Sequence, residues 1–520
     1  MKKIVLIIAI FLNCTFLMAQ TEFDAFKMVQ NDINGTARYM GMAGAFGALG
    51  GDASAIKDNP AGLGIYRKSE LTGTMNFLMQ SSSSTWNNVK STGDSYKVGF
   101  NNFSYVIATP TLGSESGTTG LLSSNFSFSY NRIKDFNRSM NLVSGNSNSS
   151  MTDYMGYLTG NITGTDLTYV PGSYEPFDNT NIPWISVLAF EGKLMNETVT
   201  NGTSTWTSFL NNGETVAPAY SLFEKGYQDE YSVGWAGNIS NVFFIGATVN
   251  LEALNYSAIK QYSETFGGSG SMSLRDSTYT NGSGINLKIG TIFCPTDFLR
   301  IGLSLHTPTV YALNDSYYSK LNFDSTVKGY ISTPGGNSAY QIQSPLVLDA
   351  SVAYIIGQRG LISAEYNYNN YTGTRLRNDS GDAQSFNLEN QGMSTVLNDV
   401  QTIKIGGEYR LNDNFSVRAG YANSSNANKP DAAKLIRYNT ISTDTEYFLN
   451  NSINYISAGF GYHEAGWFLD FAYMNKILNE TFYPYNTNGM VKLSPNFAAV
   501  NPAKVITSNN NIVITLGLKF

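Results

Sequence analysis

Asn511-Ile512-Val513-Ile514-Thr515-Leu516-Gly517-Leu518-Lys519-Phe520, the last ten residues, decide the reading of the fold. Ile512, Ile514, Leu516, Leu518 and Phe520 fall on one face of an extended chain. Val513, Thr515, Gly517 and Lys519 fall on the other. A period of two with unlike faces is the mark of a strand between two different surroundings. Thr402–Leu411 repeats the pattern, with Ile403, Ile405, Tyr409 and Leu411 set against Lys404, Gly406, Glu408 and Arg410. Phe415–Ala422 does so again, and Asn412-Asp413-Asn414 between the two reads as a tight turn.

Working outward, about fourteen such segments emerge: Leu71–Gln80, Gly99–Thr109, Leu121–Arg132, Tyr231–Ile239, Val242–Leu251, Gly284–Phe293 and Leu299–His306 come first. Leu346–Ile356, Leu361–Tyr371, Thr402–Leu411, Phe415–Ala422, Ile453–Tyr462, Trp467–Met474 and Asn511–Phe520 complete the set. Their lengths are close to the roughly 9–11 residues with which a tilted strand crosses a bilayer. The connections alternate as well. Pro110–Gly120, Ser240–Asn241, Cys294–Phe298, Gly357–Gly360, Asn412–Asn414 and His463–Gly466 are short. Ser81–Val98, Ile133–Glu230, Glu252–Ser283, Thr307–Pro345, Thr372–Gln401, Asn423–Ser452 and Asn475–Asn510 are long. Short turns at one end, long loops at the other and an even strand count are the plan of an outer-membrane barrel. The expected fold is an all-β transmembrane barrel of about 14 antiparallel strands, spanning 71–520.

Composition agrees. Of the 520 residues only 14% are charged, while 13% are aromatic, with 33 Tyr, 30 Phe and 49 Gly. Mean hydropathy is only −0.17, as alternation of apolar and polar residues produces. A net charge of −6 without a basic stripe excludes a nucleic-acid partner. Residues 1–19 read as a secretory signal peptide: Lys2 and Lys3 precede the apolar run Ile4–Leu12, and cleavage after Ala19 leaves Gln20 first. The run is too short for a spanning helix. Cys294 then has no second cysteine for a disulfide, and no metal site or cofactor is expected.

The segment 20–70 does not alternate. Gly41 to Gly51 is rich in small residues, and Asp52-Ala53-Ser54-Ala55 suits a short helical turn capped by Asp52. Pro60, with Gly62 and Gly64, is expected to end it. A compact stretch ahead of the first strand has a natural place inside the bore, as a plug. The loop 133–230 is expected to carry a short helix around Trp184, Ile185, Val187, Leu188 and Phe190, packed over the barrel mouth.

Gly51 to Leu63, running directly into the first strand and containing Asp52 and the tripeptide Asn59-Pro60-Ala61 followed by Gly62, resembles the hatch of the FadL/OmpP1/TodX family. That family comprises outer-membrane transporters of long-chain fatty acids and aromatic hydrocarbons. The resemblance implies a hatch in the lumen of a fourteen-stranded barrel. It also implies passive uptake of a hydrophobic ligand through an apolar lumen pocket, and sideways release through a gap in the wall. On that basis Phe23, Phe26, Met40, Met42, Phe46, Leu49 and Ile56 are candidates to line the pocket. A fatty-acid carboxylate would seek a lumen cation, for which strand parity selects Lys288, Arg300, Lys404, Arg410 and Arg418, unless these pair with lumen carboxylates such as Glu365 and Glu408. The expected partners are a hydrophobic small molecule, outer-membrane lipids and the barrel-assembly machinery, which would read Phe520; the expected state is a monomer. A haem (hemin) receptor and a general diffusion porin are the rival readings. An enzyme is not expected, because His306 and His463 are the only histidines and neither sits in a catalytic pattern.

Overall fold

The computed structural model describes residues 20–111, 119–436, 441–493 and 497–520; the stretch read as a signal peptide, 1–19, lies outside the described residues. Fourteen antiparallel strands form a closed sheet. The first six are β1 Glu70–Trp86, β2 Val89–Ile107, β3 Leu121–Asp135, β4 Val216–Ile239, β5 Phe243–Phe266 and β6 Ser271–Phe293. β7 runs through Leu299–His306 and on through Val310–Asp324, β8 through Gly336–Gln343 and Val347–Ile356, β9 through Gly360–Asn369 and Arg375–Asn378. β10 Val400–Arg410, β11 Phe415–Ser424, β12 Tyr447–His463, β13 Trp467–Tyr483 and β14 Ala503–Lys519 complete it. β14 returns to β1, in register from Glu70↔Lys519 to Thr85↔Lys504. Closure removes the free edge that an open sheet would leave.

The two faces are those read from the sequence. In β14, Ile512, Ile514, Leu516 and Leu518 are 42, 43, 51 and 45% exposed, whereas Val513 and Thr515 are fully buried. In β10, Ile403, Ile405 and Tyr409 point out, and Thr402, Lys404 and Glu408 point in. An apolar outer belt around a polar interior suits lipid outside and a filled bore inside, which makes this a transmembrane β-barrel. Among the described residues no helix is long and apolar enough to cross a membrane.

Several strands outrun the membrane. β4 and β5 have 24 residues each and β6 has 23. At about 3.3 Å per residue, 24 residues reach roughly 80 Å along the strand, far beyond a bilayer's need. Two expected long loops, Ser81–Val98 and Glu252–Ser283, are therefore mostly strand. The first turns at Asn87 and Asn88, both with positive φ, and the second within Gly267–Gly270.

The expected loop 133–230 is likewise shorter than the sequence suggested. β3 persists to Asp135, a short strand Arg138–Val143 pairs with Ala219–Glu224, and β4 resumes at Val216. What lies between folds over the bore with helices at Met151–Thr159, Gly164–Leu167 and Trp184–Glu191 and a hairpin of Met195–Thr200 with Thr203–Ser208. The helix Trp184–Glu191 buries Trp184, Ile185, Val187 and Leu188 in one apolar cluster with Tyr220, Leu222, Tyr262 and Leu274 of the upper wall. Trp184 Nε1 donates to the Phe177 carbonyl at 2.9 Å and Trp206 Nε1 to that of Ile162 at 2.8 Å, so both indoles are anchored at their polar ends.

Ahead of β1, the chain forms a helix Glu22–Val29, with a capping box of Thr21 and Asp24, and a one-turn helix Ala37–Gly41 capped by Thr36. Two 3₁₀ turns, Ala55–Lys57 and Pro60–Ile65, follow. The Asp52 carboxylate accepts from the Ser54 amide at 2.9 Å and from Thr36 Oγ1 at 2.8 Å. Pro60 does more than the stop expected of it. It opens the second 3₁₀ turn, where a missing N–H costs nothing in the first positions, and Asn59 caps that turn by accepting from the Ala61 amide at 3.1 Å.

Candidate functional site: the plugged bore

The N-terminal segment meets the inner face of the wall on every side. The Ala37 amide donates to Thr515 Oγ1 at 2.7 Å, and the Gly47 amide to Glu365 Oε2 at 2.8 Å. Arg38 Nε reaches Glu408 at 2.8 Å. Asn125 Nδ2 donates to the carbonyls of Leu63 (2.9 Å) and Tyr66 (3.0 Å). Asn59 is the most connected of the motif residues. Its Nδ2 joins the Gly47 carbonyl within the segment (2.7 Å) to the Thr291 carbonyl of β6 (3.1 Å). The segment therefore fills the bore as a plug tied by named bonds to β3, β6, β9, β10 and β14.

Close approach is possible because the wall lacks side chains where the plug's backbone runs. A Cβ on Gly290 would lie 2.0 Å from Asn59 Oδ1, and one on Gly420 2.3 Å from the Met42 carbonyl carbon. Only glycine leaves room at such points, for the Asn59 side chain at Gly290 and for the Met42 backbone at Gly420.

The sequence-selected residues separate into three groups. Phe23 and Phe26 line a cavity of about 140 Å³ above the plug. Met40, Met42, Phe46 and Leu49 instead pack with Tyr39, Tyr455 and Met474 where plug meets wall, and Ile56 packs with Leu63, Tyr66 and Val106. The single apolar pocket expected of these seven is thus not formed, because five of them are consumed in seating the plug. Among the cations, Lys288 is paired with Glu230, Lys404 with Glu365 at 2.7 Å, and Arg418 with Glu408 at 2.6 Å and Asp470 at 2.7 Å. Arg300 and Arg410 have no acidic partner among the described residues; Arg300 Nη1 donates to the Leu49 carbonyl at 2.8 Å. Asp58 of the plug lies 3.1 Å from Lys57 and 3.9 Å from Lys404. Burial pushes its pKa up, but the two ammonium groups outweigh burial and hold the carboxyl well below the usual range.

Sequence reasoning missed the cavity's polar lining. Beside Phe23, Phe26 and Phe448 stand Lys27, Lys134 and Arg138. Lys27 is held by Glu224 at 2.6 Å, and Arg138 by Glu480. Lys134 Nζ donates to the Lys27 carbonyl at 2.6 Å and has no acidic partner among the described residues. Nothing marked Lys134 in advance, since alternation in β3 breaks just before it, where the register shifts between Arg132 and Lys134.

That bulge has a second effect. β2 runs from Val89 to Ile107, but only Asn102–Ile107 pairs with β3, opposite Phe126–Asn131. Above this ladder the two strands part. The carbonyl of Ile133, in the bulge, accepts from the plug's Asp32 amide at 3.1 Å instead. The separated strands are linked by Lys97 to Asp135 at 2.8 Å and Asn137 Nδ2 to Ser95 Oγ at 2.6 Å, and higher up the short strand Arg138–Val143 returns against β2, its Val143 amide donating to Ser91 Oγ at 3.2 Å. Asp135, Phe136 and Asn137 also line the cavity, so the cavity reaches the break in the wall.

The class these observations define is a closed fourteen-stranded transmembrane barrel with an N-terminal plug and a partly unpaired β2–β3 seam. Among solved structures, a Pseudomonas aeruginosa FadL homologue superposes with a TM-score of 0.51 at 12% identity, covering 95% of this chain and 99% of its own. The P. putida toluene transporter TodX gives a TM-score of 0.51 at 12% identity, covering 94% and 99%. At such identity the likeness is one of fold. No family model and no curated protein matches the chain.

Proposed function

We propose that this chain is an outer-membrane transporter through which hydrophobic compounds with a polar end, long-chain fatty acids among them, enter a Gram-negative cell. The observation that carries the reading is the cavity between plug and wall that meets the unpaired part of β2 and β3. Its aromatic lining suits an apolar body, and Lys134, the lining ammonium without an acidic partner among the described residues, suits an acidic head. The fold shared with the FadL homologue and the toluene transporter TodX supports it. A ligand leaving through the seam passes from the bore into hydrocarbon, downhill for an apolar molecule and without an energy source. The plug acts as a hatch, denying the bore to water and small solutes, and the chain works as a monomer.

The test is uptake of a radiolabelled long-chain fatty acid by cells lacking the protein and by cells complemented with it, paired with liposome swelling in small sugars. Complementation of uptake without sugar permeation is expected. Free passage of sugars would instead make the chain a diffusion porin, and uptake of haem alone would make it a haem receptor.

A further inference from the structure

At the short-turn end of the barrel lies a second cavity, of about 380 Å³, between the underside of the plug and the turns of the wall. Arg38 of the plug, Arg300 of β7, Arg359 of the β8–β9 turn and Arg410 at the end of β10 all line it. Glu408 is the one carboxylate in its lining, and that group is already bonded by Arg38 and Arg418. Arg300, Arg359 and Arg410 have no acidic partner among the described residues. Arg300 is only partly exposed and offers one contact, to the Leu49 carbonyl, out of the five donors a guanidinium carries. Arg67 lies near enough to act on Arg300 electrostatically and adds to the positive field. The plug carboxylate Asp52 does not line the cavity and is turned to Thr36 and Ser54.

We infer that this cavity is a binding site for a phosphate-bearing anion, entered from the short-turn side and separate from the ligand cavity above the plug. Four arginines against one occupied carboxylate leave an excess of three positive charges, which suits a multivalent oxyanion better than a single carboxylate. Guanidinium groups match phosphate oxygens in pairs, and a concave site with like charges on its walls concentrates counter-ions. The volume exceeds what inorganic phosphate needs, so the group can be free phosphate or the headgroup of a phospholipid from the adjoining leaflet. Bound there, it would tie Arg38 of the plug to Arg300, Arg359 and Arg410 of the wall.

Isothermal titration of the purified full chain in non-ionic detergent tests this, with inorganic phosphate, dioctanoyl phosphatidylglycerol and dioctanoyl phosphatidylcholine as probes. Binding of phosphate or of the anionic lipid is expected, with affinity falling at least tenfold in Arg300→Gln and in Arg359→Gln/Arg410→Gln. The double variant changes only exposed side chains, so it keeps the barrel intact if Arg300→Gln does not fold. Phosphate binding as tightly as the anionic lipid identifies the free ion; preference for the anionic lipid identifies the headgroup. No binding, equal binding in the variants, or equal binding of the zwitterionic lipid overturns the inference. The measurement is independent of fatty-acid uptake, so failure here leaves the transport reading standing, and the reverse.

Discussion

Replacing Asn59 by alanine is the sharpest probe of the plug. The side chain is 2% exposed and makes three bonds: from the Ala61 amide, and to the carbonyls of Gly47 and Thr291. Thr291 lies within β6, so its carbonyl keeps a partner in the sheet. The Ala61 amide and the Gly47 carbonyl would lose theirs inside the bore. Each buried group left unpaired costs about 1–3 kcal/mol, which puts the loss at roughly 2–6 kcal/mol, all of it on plug docking. At about 1.4 kcal/mol per factor of ten, the population with a displaced 47–61 segment should rise by more than tenfold. The barrel itself, closed by backbone ladders, should not notice. The expected result is normal heat-modifiability, at least tenfold faster proteolysis within 20–66 in reconstituted protein, and measurable permeation of small sugars. Unchanged proteolysis together with unchanged permeation would refute the argument that Asn59 seats the plug. Parallel loss of barrel content would show that the motif serves folding instead.

Gly290→Ala should reproduce that phenotype from the wall side, since the new Cβ falls 2.0 Å from Asn59 Oδ1; wild-type proteolysis would show that the plug can shift without cost. Cysteines at Ser95 and Asn137, introduced with Cys294→Ser, should form a disulfide across the parted strands and lower fatty-acid uptake several-fold, with recovery on reduction. Undiminished uptake with the bond formed would exclude release through the β2–β3 seam. Deleting Phe520 removes the bonds its backbone makes with Ser69, both 3.1 Å, and its stacking on Tyr105, and should lower the inserted, heat-modifiable fraction. Full insertion would mean the terminal aromatic is not read during assembly.

Legibility in the sequence tracked the membrane. β10, β11 and β14 announced themselves because lipid on one side and a polar bore on the other force opposite residue types onto alternate positions. Where strands rise above the membrane the outer face no longer has to be apolar, and Ser81–Ser84 reads as loop although it is paired to Ser91–Asp94. Parity placed Lys404 and Arg418 inside and named Glu365 and Glu408 as possible partners, yet could not foresee Arg38. Arg38 sits in a segment without periodicity, and only the closed barrel brings it to Glu408. Wall glycines such as Gly290 and Gly420 carry meaning only once the plug is known to pass them. Lys134 of the upper cavity was hidden by the bulge at Arg132/Lys134, which breaks the very alternation that strand reading relies on.

The two seams of the wall differ in a way that bears on the order of events in the protein's life. Where the first and last strands meet, pairing runs unbroken from Glu70 to Thr85; where the second and third meet, it covers only Asn102–Ile107. The junction that has to be made last during insertion is thus the durable one, and the weak junction lies within a stretch of chain laid down early. Closing the cylinder and parting its wall need not compete. The first can be completed once and left alone, while the second carries only a short ladder, as the proposed release of ligand there requires.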